Sequence, residues 1–87
     1  MYTILYTKIA IKDIEKLKST QLEDKAKDLI RLIKENPFET PPRYEKLVGD
    51  LKGLYSRRIN KKHRLVYEVF EEEKIIKILS LWTHYER

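Results

Sequence analysis

Hydrophobic and polar positions along the chain fall into six patterned stretches separated by breaks. Residues 2–7, Tyr-Thr-Ile-Leu-Tyr-Thr, alternate loosely and are rich in β-branched and aromatic side chains, which suit a pleated, half-buried surface and predict a first strand. Ala10, Ile11, Ile14 and Leu17 then recur at helical spacing, with Lys12, Asp13, Glu15, Lys16 and Lys18 assigned to the opposite face. Ser19-Thr20 interrupts this helix. Thr20-Gln21-Leu22-Glu23 reads as a capping box, in which the Thr hydroxyl accepts from the Glu23 amide and the Glu carboxylate returns to the cap amide. The helix it starts carries Leu22, Ala26, Leu29, Ile30 and Ile33 at intervals of three and four. Asn36-Pro37 ends it, because the residue before a proline is pushed out of the helical region. So short a break between helices predicts a hairpin laid on one side of a sheet.

Residues 38–46 hold Pro41 and Pro42 and show no period, which predicts an irregular crossover and a natural place for functional groups. After Asp50-Leu51-Lys52-Gly53 come three strand-like runs, over 54–59, 63–70 and 74–82. Their connections, Asn60-Lys61-Lys62 and Glu71-Glu72-Glu73, are short and polar, as antiparallel hairpins require. The predicted order is β-α-α-β-β-β. It describes an α+β fold, a helical hairpin packed on an antiparallel sheet, in one domain over 1–87.

Composition narrows the chemistry. A chain of 87 residues can enclose one modest core and no second one. Cys is absent, which excludes disulfides and thiolate metal sites, and two His alone make a zinc site implausible, so neither metal nor cofactor is expected. The opening Met1-Tyr2-Thr3-Ile4-Leu5-Tyr6 lacks a secretion-signal pattern and no apolar run is long enough to span a bilayer, which predicts a cytoplasmic protein without membrane contact. With 19 Lys and Arg against 14 Asp and Glu, the formal charge of +5 favours a polyanionic partner such as nucleic acid.

The positive charge concentrates in one hairpin: Arg57, Arg58, Lys61, Lys62, His63 and Arg64, with Tyr55 and Tyr67 on either side. Strand alternation lets Arg58 share a face with Ser56, while Arg57 joins Tyr55 and Ile59. In the next strand His63, Leu65, Tyr67 and Val69 form one row and Arg64, Val66, Glu68 and Phe70 the other. A solvated, lysine-protected hairpin accounts for most of these charges. Arg64 stands apart because strand hydrophobes flank it. Its planar fork of donors suits phosphate oxygens, and a carboxylate partner such as Glu45 or Glu68 suits it equally; the residues alone leave both open. His84, just past the apolar run 75–82, can serve as an acid or base near neutral pH, and His63 is its rival. Trp82 and Tyr85 could stack on bases, although Trp82 beside Leu81 fits a core better.

A longer, ordered pattern goes further. Asn36-Pro37-Phe38-Glu39, then Tyr44-Glu45-Lys46-Leu47, then Asp50 through Tyr67 with Gly53-Leu54-Tyr55-Ser56-Arg57-Arg58-Ile59 and His63-Arg64-Leu65-Val66-Tyr67, and a terminal His84-Tyr85, resemble the Txe/YoeB family of toxins, within the RelE-like superfamily. The resemblance implies the toxin of a type II toxin-antitoxin system, a ribosome-dependent endoribonuclease that enters the ribosomal A site on the small subunit and cuts the messenger RNA there. It implies as partner a YefM/Axe-like antitoxin that masks the active surface, and it leaves a homodimer open. Carried over by position, Glu45 resembles the general base, Arg64 the phosphate binder, His84 the general acid and Tyr85 a residue that orients the substrate. Arg58 resembles a supporting contact to the RNA backbone, with Arg57 and Lys46 as further RNA contacts. Where the family's common pattern reads Glu-Pro-Leu-Lys, this chain has Glu45-Lys46-Leu47-Val48, so its lysine has moved two positions.

The chemistry is consistent with those roles. Cleaving RNA without a metal uses the ribose 2′-hydroxyl as nucleophile, which calls for a base to take its proton, a cation for the charge gathering on the phosphate, and an acid for the departing 5′-oxygen. Two competing readings are a non-catalytic toxin of the same fold that inhibits DNA gyrase, and a plain RNA-binding module. Glu45 and His84 discriminate, since a binder needs neither base nor acid.

Overall fold

In the computed structural model, which describes residues 1–48 and 53–82, strand β1 (Thr3–Tyr6) runs directly into helix α1 (Lys8–Lys18). Thr7 sits between them and fixes the turn. Its Oγ1 accepts the Ala10 amide at 3.0 Å, capping α1, and donates to the Leu79 carbonyl at 2.9 Å, tying the helix start to the last strand. Lys16 and Lys18 occupy the last turn, where the helix dipole favours cations.

The buried stripe of α1 is Ala10, Asp13 and Leu17, which corrects the expected polar face for Asp13. Asp13 lies three residues after Ala10 and four before Leu17, so helical geometry puts it on the core side. Its Oδ2 accepts the Leu81 amide at 2.9 Å, while Ile11 turns outward and is 53% exposed.

The expected capping box is also corrected. Leu22 is the N-cap residue of α2 (Glu23–Glu35), without a side-chain cap bond. Thr20 instead closes the end of α1: its Oγ1 donates to the Leu17 carbonyl at 2.8 Å and accepts the Leu22 amide at 3.0 Å. Glu23 and Asp24 still place negative charge at the positive end of the α2 dipole. Helix α2 stops at Glu35, one residue before Asn36-Pro37, as the proline requires.

Beyond the crossover come β2 (Glu45–Lys46), β3 (Leu54–Arg58), β4 (Arg64–Phe70) and β5 (Ile75–Ser80), giving one five-stranded sheet in the order β1-β5-β4-β3-β2. Consecutive strands from β2 onward are antiparallel, but β1 pairs parallel with β5, so the sheet is mixed where the sequence predicted an antiparallel one. A parallel pair needs a long crossover, and everything from α1 to β4 supplies it. The second addition is β2, inside the stretch expected to be irregular. Two residues are too few to show a period, and their strand character comes from pairing with β3.

The core forms where the helices meet one face of the sheet. Ala10 and Leu17 of α1, with Ala26, Leu29 and Ile33 of α2, join Leu65 and Tyr67 of β4 and Ile76 and Ile78 of β5 in one buried cluster. Among the described residues, no helix is long and apolar enough to cross a membrane.

Arg57, expected among the RNA contacts, belongs to the interior: it is 1% exposed. Alternation along β3 sets it on the side of Tyr55 and Ile59, away from Arg58. Its Nε donates to the Tyr67 hydroxyl at 3.1 Å, Nη1 to the Pro42 carbonyl at 2.6 Å, and Nη2 to the carbonyls of Pro37 at 3.0 Å and Glu39 at 2.8 Å. The Tyr67 hydroxyl donates in turn to the Pro37 carbonyl at 2.8 Å. The Tyr44 ring lies 5.1 Å from the guanidinium carbon, and Phe38 packs edge-on to Tyr55 at 5.2 Å. Arg57 thereby fastens the crossover to β3.

Burial pushes the Tyr67 phenol up from its ordinary value of 10.0, with the Arg57 hydrogen bond and charge opposing in part. Tyr67→Phe deprives the Arg57 Nε–H of its acceptor and the Pro37 carbonyl of a donor, so a loss of about 1–3 kcal/mol is expected in urea unfolding. A phenol whose value is raised on folding keeps its contribution below the unfolded value of 10.0 and loses it as pH rises beyond. The stability gap between wild type and Tyr67→Phe should therefore narrow above that pH, as measured by unfolding midpoints in alkaline buffers.

Candidate functional site

The sheet face opposite the core carries the polar constellation. Register sets Glu45 of β2 opposite Ser56 of β3, Ser56 opposite Val66 of β4, and Val66 opposite Ser80 of β5. One step further along, Arg58 stands opposite Arg64. Residues directly opposite, or two apart on one strand, share a face, so Glu45, Ser56, Arg58 and Arg64 look out together.

The Arg64 Nη1 lies 3.5 Å from Glu45 Oε1, and Arg43 Nη2 lies 4.0 Å from Glu45 Oε2. Of the two carboxylates considered for Arg64, Glu45 is the one in reach. The contact is long and both side chains face water, being 38% exposed for Arg64 and 50% for Glu45, so the pair adds little to stability. Its geometry leaves the guanidinium free to exchange the carboxylate for another oxyanion.

Two adjoining clefts open over this face. The larger, about 490 Å³, has polar walls at Glu45, Ser56, Lys62, Arg64 and Ser80, with apolar ones that include Ile9, Leu79 and Trp82. The smaller, about 370 Å³, shares Glu45, Ser56 and Arg64 and adds Lys25, Arg43 and Arg58. Beside the larger cleft the β4-β5 register shifts: Tyr67 pairs with Ile78 but Val66 with Ser80, leaving Leu79 as one extra residue. Such a bulge re-aims nearby side chains, and Leu79 forms part of the cleft wall. Trp82 stacks on the buried His63 ring at 3.9 Å, with the Lys16 ammonium 5.6 Å from its own ring centroid.

The structure thus brings Glu45, Arg64 and Arg58 together, and separates two residues expected beside them. Lys46 stands opposite Tyr55, so it points to the other face of β2 from Glu45 and lines neither cleft. Arg57 is corrected as an RNA contact by its burial. His84 and Tyr85 lie outside the described residues. Sequence reasoning missed Arg43, whose two-residue offset from Glu45 in extended chain is the signal that would have found it. It also passed over Ser56 as a functional group, although alternation had already placed it beside Arg58. Among the described residues, no three His, Asp or Glu side chains gather as a metal-binding group.

Comparison with known proteins agrees with this architecture. Residues 6–85 match the family model described as the YoeB-like toxin of bacterial type II toxin-antitoxin systems. The chain is similar to the Toxin YoeB of Synechocystis, 41% identical over 59 residues, which is 68% of this chain and 66% of that relative, just under two-thirds of its length. Among solved structures it resembles the YoeB/ParE toxin from Agrobacterium tumefaciens, with a TM-score of 0.86, 33% identity, and coverage of 95% of this chain and 99% of that one. It is similarly close to the toxin in the YoeB-YefM complex from Staphylococcus aureus, with a TM-score of 0.82, 35% identity and coverage of 98% and 99%. This chain therefore belongs to the YoeB-like toxins of bacterial type II toxin-antitoxin systems.

Proposed function

We propose that this toxin is an endoribonuclease that cuts messenger RNA in the ribosomal A site, using side chains in place of a metal. The observation that carries the reading is the meeting of Glu45 and Arg64, 19 residues apart in the chain, at 3.5 Å on a cleft-lined sheet face. A base and a phosphate-binding cation are needed side by side, and here two different strands supply them.

In the resting protein Arg64 rests against Glu45. An incoming phosphodiester takes over the guanidinium, whose forked donors match its oxygens, and Glu45 is released to accept the 2′-hydroxyl proton. The 2′-oxygen attacks the adjacent phosphorus, the bond to the 5′-oxygen breaks, and His84 gives that oxygen a proton. Tyr85 orients the nucleotide, and Arg58 holds the neighbouring backbone. His84 follows Trp82, a wall of the cleft, by two residues in the sequence. The products are a 2′,3′-cyclic phosphate and a 5′-hydroxyl end. The solved Staphylococcus aureus relative is a complex with YefM, which supports an antitoxin of that kind as the partner that masks this face.

The deciding experiment adds purified toxin to ribosomes programmed with a defined message and maps the cleaved ends. Cuts within the A-site codon leaving 5′-hydroxyls are expected, and a 2′-deoxy nucleotide at the scissile position should block them. Intact messages together with inhibited DNA supercoiling by gyrase would favour the non-catalytic toxin instead.

Glu45→Gln is expected to lower the single-turnover rate by about 10² to 10⁴ while shifting unfolding stability by less than about 1 kcal/mol, because the resting ion pair is exposed. His84→Ala should lose cleavage to a similar extent and retain ribosome binding in a sedimentation assay. Arg58→Ala should leave the chemical step nearly intact and flatten the dependence of log affinity on log salt by about one unit, the signature of one lost phosphate contact.

A further inference from the structure

Among the polar groups of the cleft wall that the mechanism above does not use, Ser56 is the buried one. It is 3% exposed, and among the described residues its Oγ has no hydrogen-bond partner. A buried hydroxyl left unbonded costs about 1–3 kcal/mol, a cost that alanine at the same place would avoid. Ser56 also occupies the middle of the constellation. Glu45 and Val66 are its direct cross-strand neighbours, with Cβ atoms at about 4.5–5.5 Å, and Arg64 is a diagonal neighbour at about 7–8 Å. Both clefts include it in their walls.

We infer that Ser56 is a substrate-contacting residue, whose hydroxyl donates to a non-bridging oxygen of the scissile phosphodiester while Arg64 holds the charge on the same group. The inference rests on the endoribonuclease reading and extends it to a group that reading did not need. Three features select the phosphate oxygen as the acceptor. A donor bonded to the ribose 2′-oxygen would tie up the lone pair that attacks phosphorus and blunt the nucleophile, which disfavours that oxygen as the acceptor. Glu45 stands directly across from Ser56 in the resting protein, yet the hydroxyl makes no bond to it. A phosphodiester brings only lone pairs, and its non-bridging oxygens gain negative charge as the 2′-oxygen attacks, so a donor fixed by burial gains strength at that moment.

The test uses Ser56→Ala in the full chain, on programmed ribosomes under single-turnover conditions, with thermal unfolding measured on the same samples. A fall in cleavage rate of about 10²-fold is expected, with ribosome binding within twofold of wild type and a Tm no lower than wild type, since no bond is lost in the free protein. Messages carrying one non-bridging phosphorothioate at the scissile position add a readout that a purely structural serine would not move. One of the two diastereomers should slow the wild type much more than it slows Ser56→Ala. Wild-type cleavage by Ser56→Ala, a rate loss accompanied by a lowered Tm, or equal thio effects in both proteins would each overturn the inference while leaving the nuclease reading in place. A wild-type protein that leaves messages intact would bring down both.

Discussion

The arrangement depends on a guanidinium where a side chain of its kind is seldom found. Arg57 is enclosed, and an enclosed charge is tolerated only with partners on all sides. Here they are three carbonyls from the crossover, at Pro37, Glu39 and Pro42, and the Tyr67 hydroxyl from the neighbouring strand. The carbonyls belong to a stretch without regular structure, which would otherwise have no reason to adopt one path. Held by Arg57, it delivers Glu45 to the edge of β3 in a register that sets it across from Ser56. Adjacent arginines therefore do opposite work: one is turned inward to secure the crossover, the other outward onto the open face.

A second set of ties governs the far side of the cleft. Thr7 bonds the Leu79 carbonyl and Asp13 accepts the Leu81 amide, so both ends of the short stretch at the close of β5 are anchored to α1, one at its cap and one at its middle. Between and beyond those anchors stand Leu79, set in the bulge, and Trp82, stacked on His63, both in the cleft wall. The helical hairpin thus does more than cover the core. It holds one wall of the cleft while Arg57 holds the other, and the sheet between them carries Ser56, Arg58 and Arg64.

Much of this was legible in the chain. Period and proline placed both helices and four of the strands, and alternation put Arg58 and Ser56 on one face with Arg57 on the other. What escaped depends on partners distant in sequence. Parallel pairing of β1 with β5 leaves no local trace, and β2 is a strand only because β3 lies beside it. Asp13 was misread through its charge although its spacing put it on the core stripe, and Thr20 satisfied the end of the preceding helix in place of the start of the next. Within the site, the residues left the partner of Arg64 open and offered Glu45 only as one of two carboxylates. It was the likeness to a family that singled out Glu45, and the fold that brought the two within 3.5 Å. Lys46 stands apart from the cleft for the reason that Glu45 stands in it, since neighbours on a strand point opposite ways.

The openness of this face bears on where the proposed reaction takes place. Two unit charges about 4 Å apart attract by about 1 kcal/mol in water and by about 4 kcal/mol in the less polar setting near a protein surface. Glu45 and Arg64, both partly exposed, lie toward the weaker limit, where neither holds a nearby charge firmly. The same two groups gain strength once a large partner covers the cleft and expels its water. Under the proposed function, a ribosome presenting a messenger strand would do both, lending the enclosure that this open face lacks. The requirement for a ribosome then follows from the openness of this face as much as from the identity of the substrate.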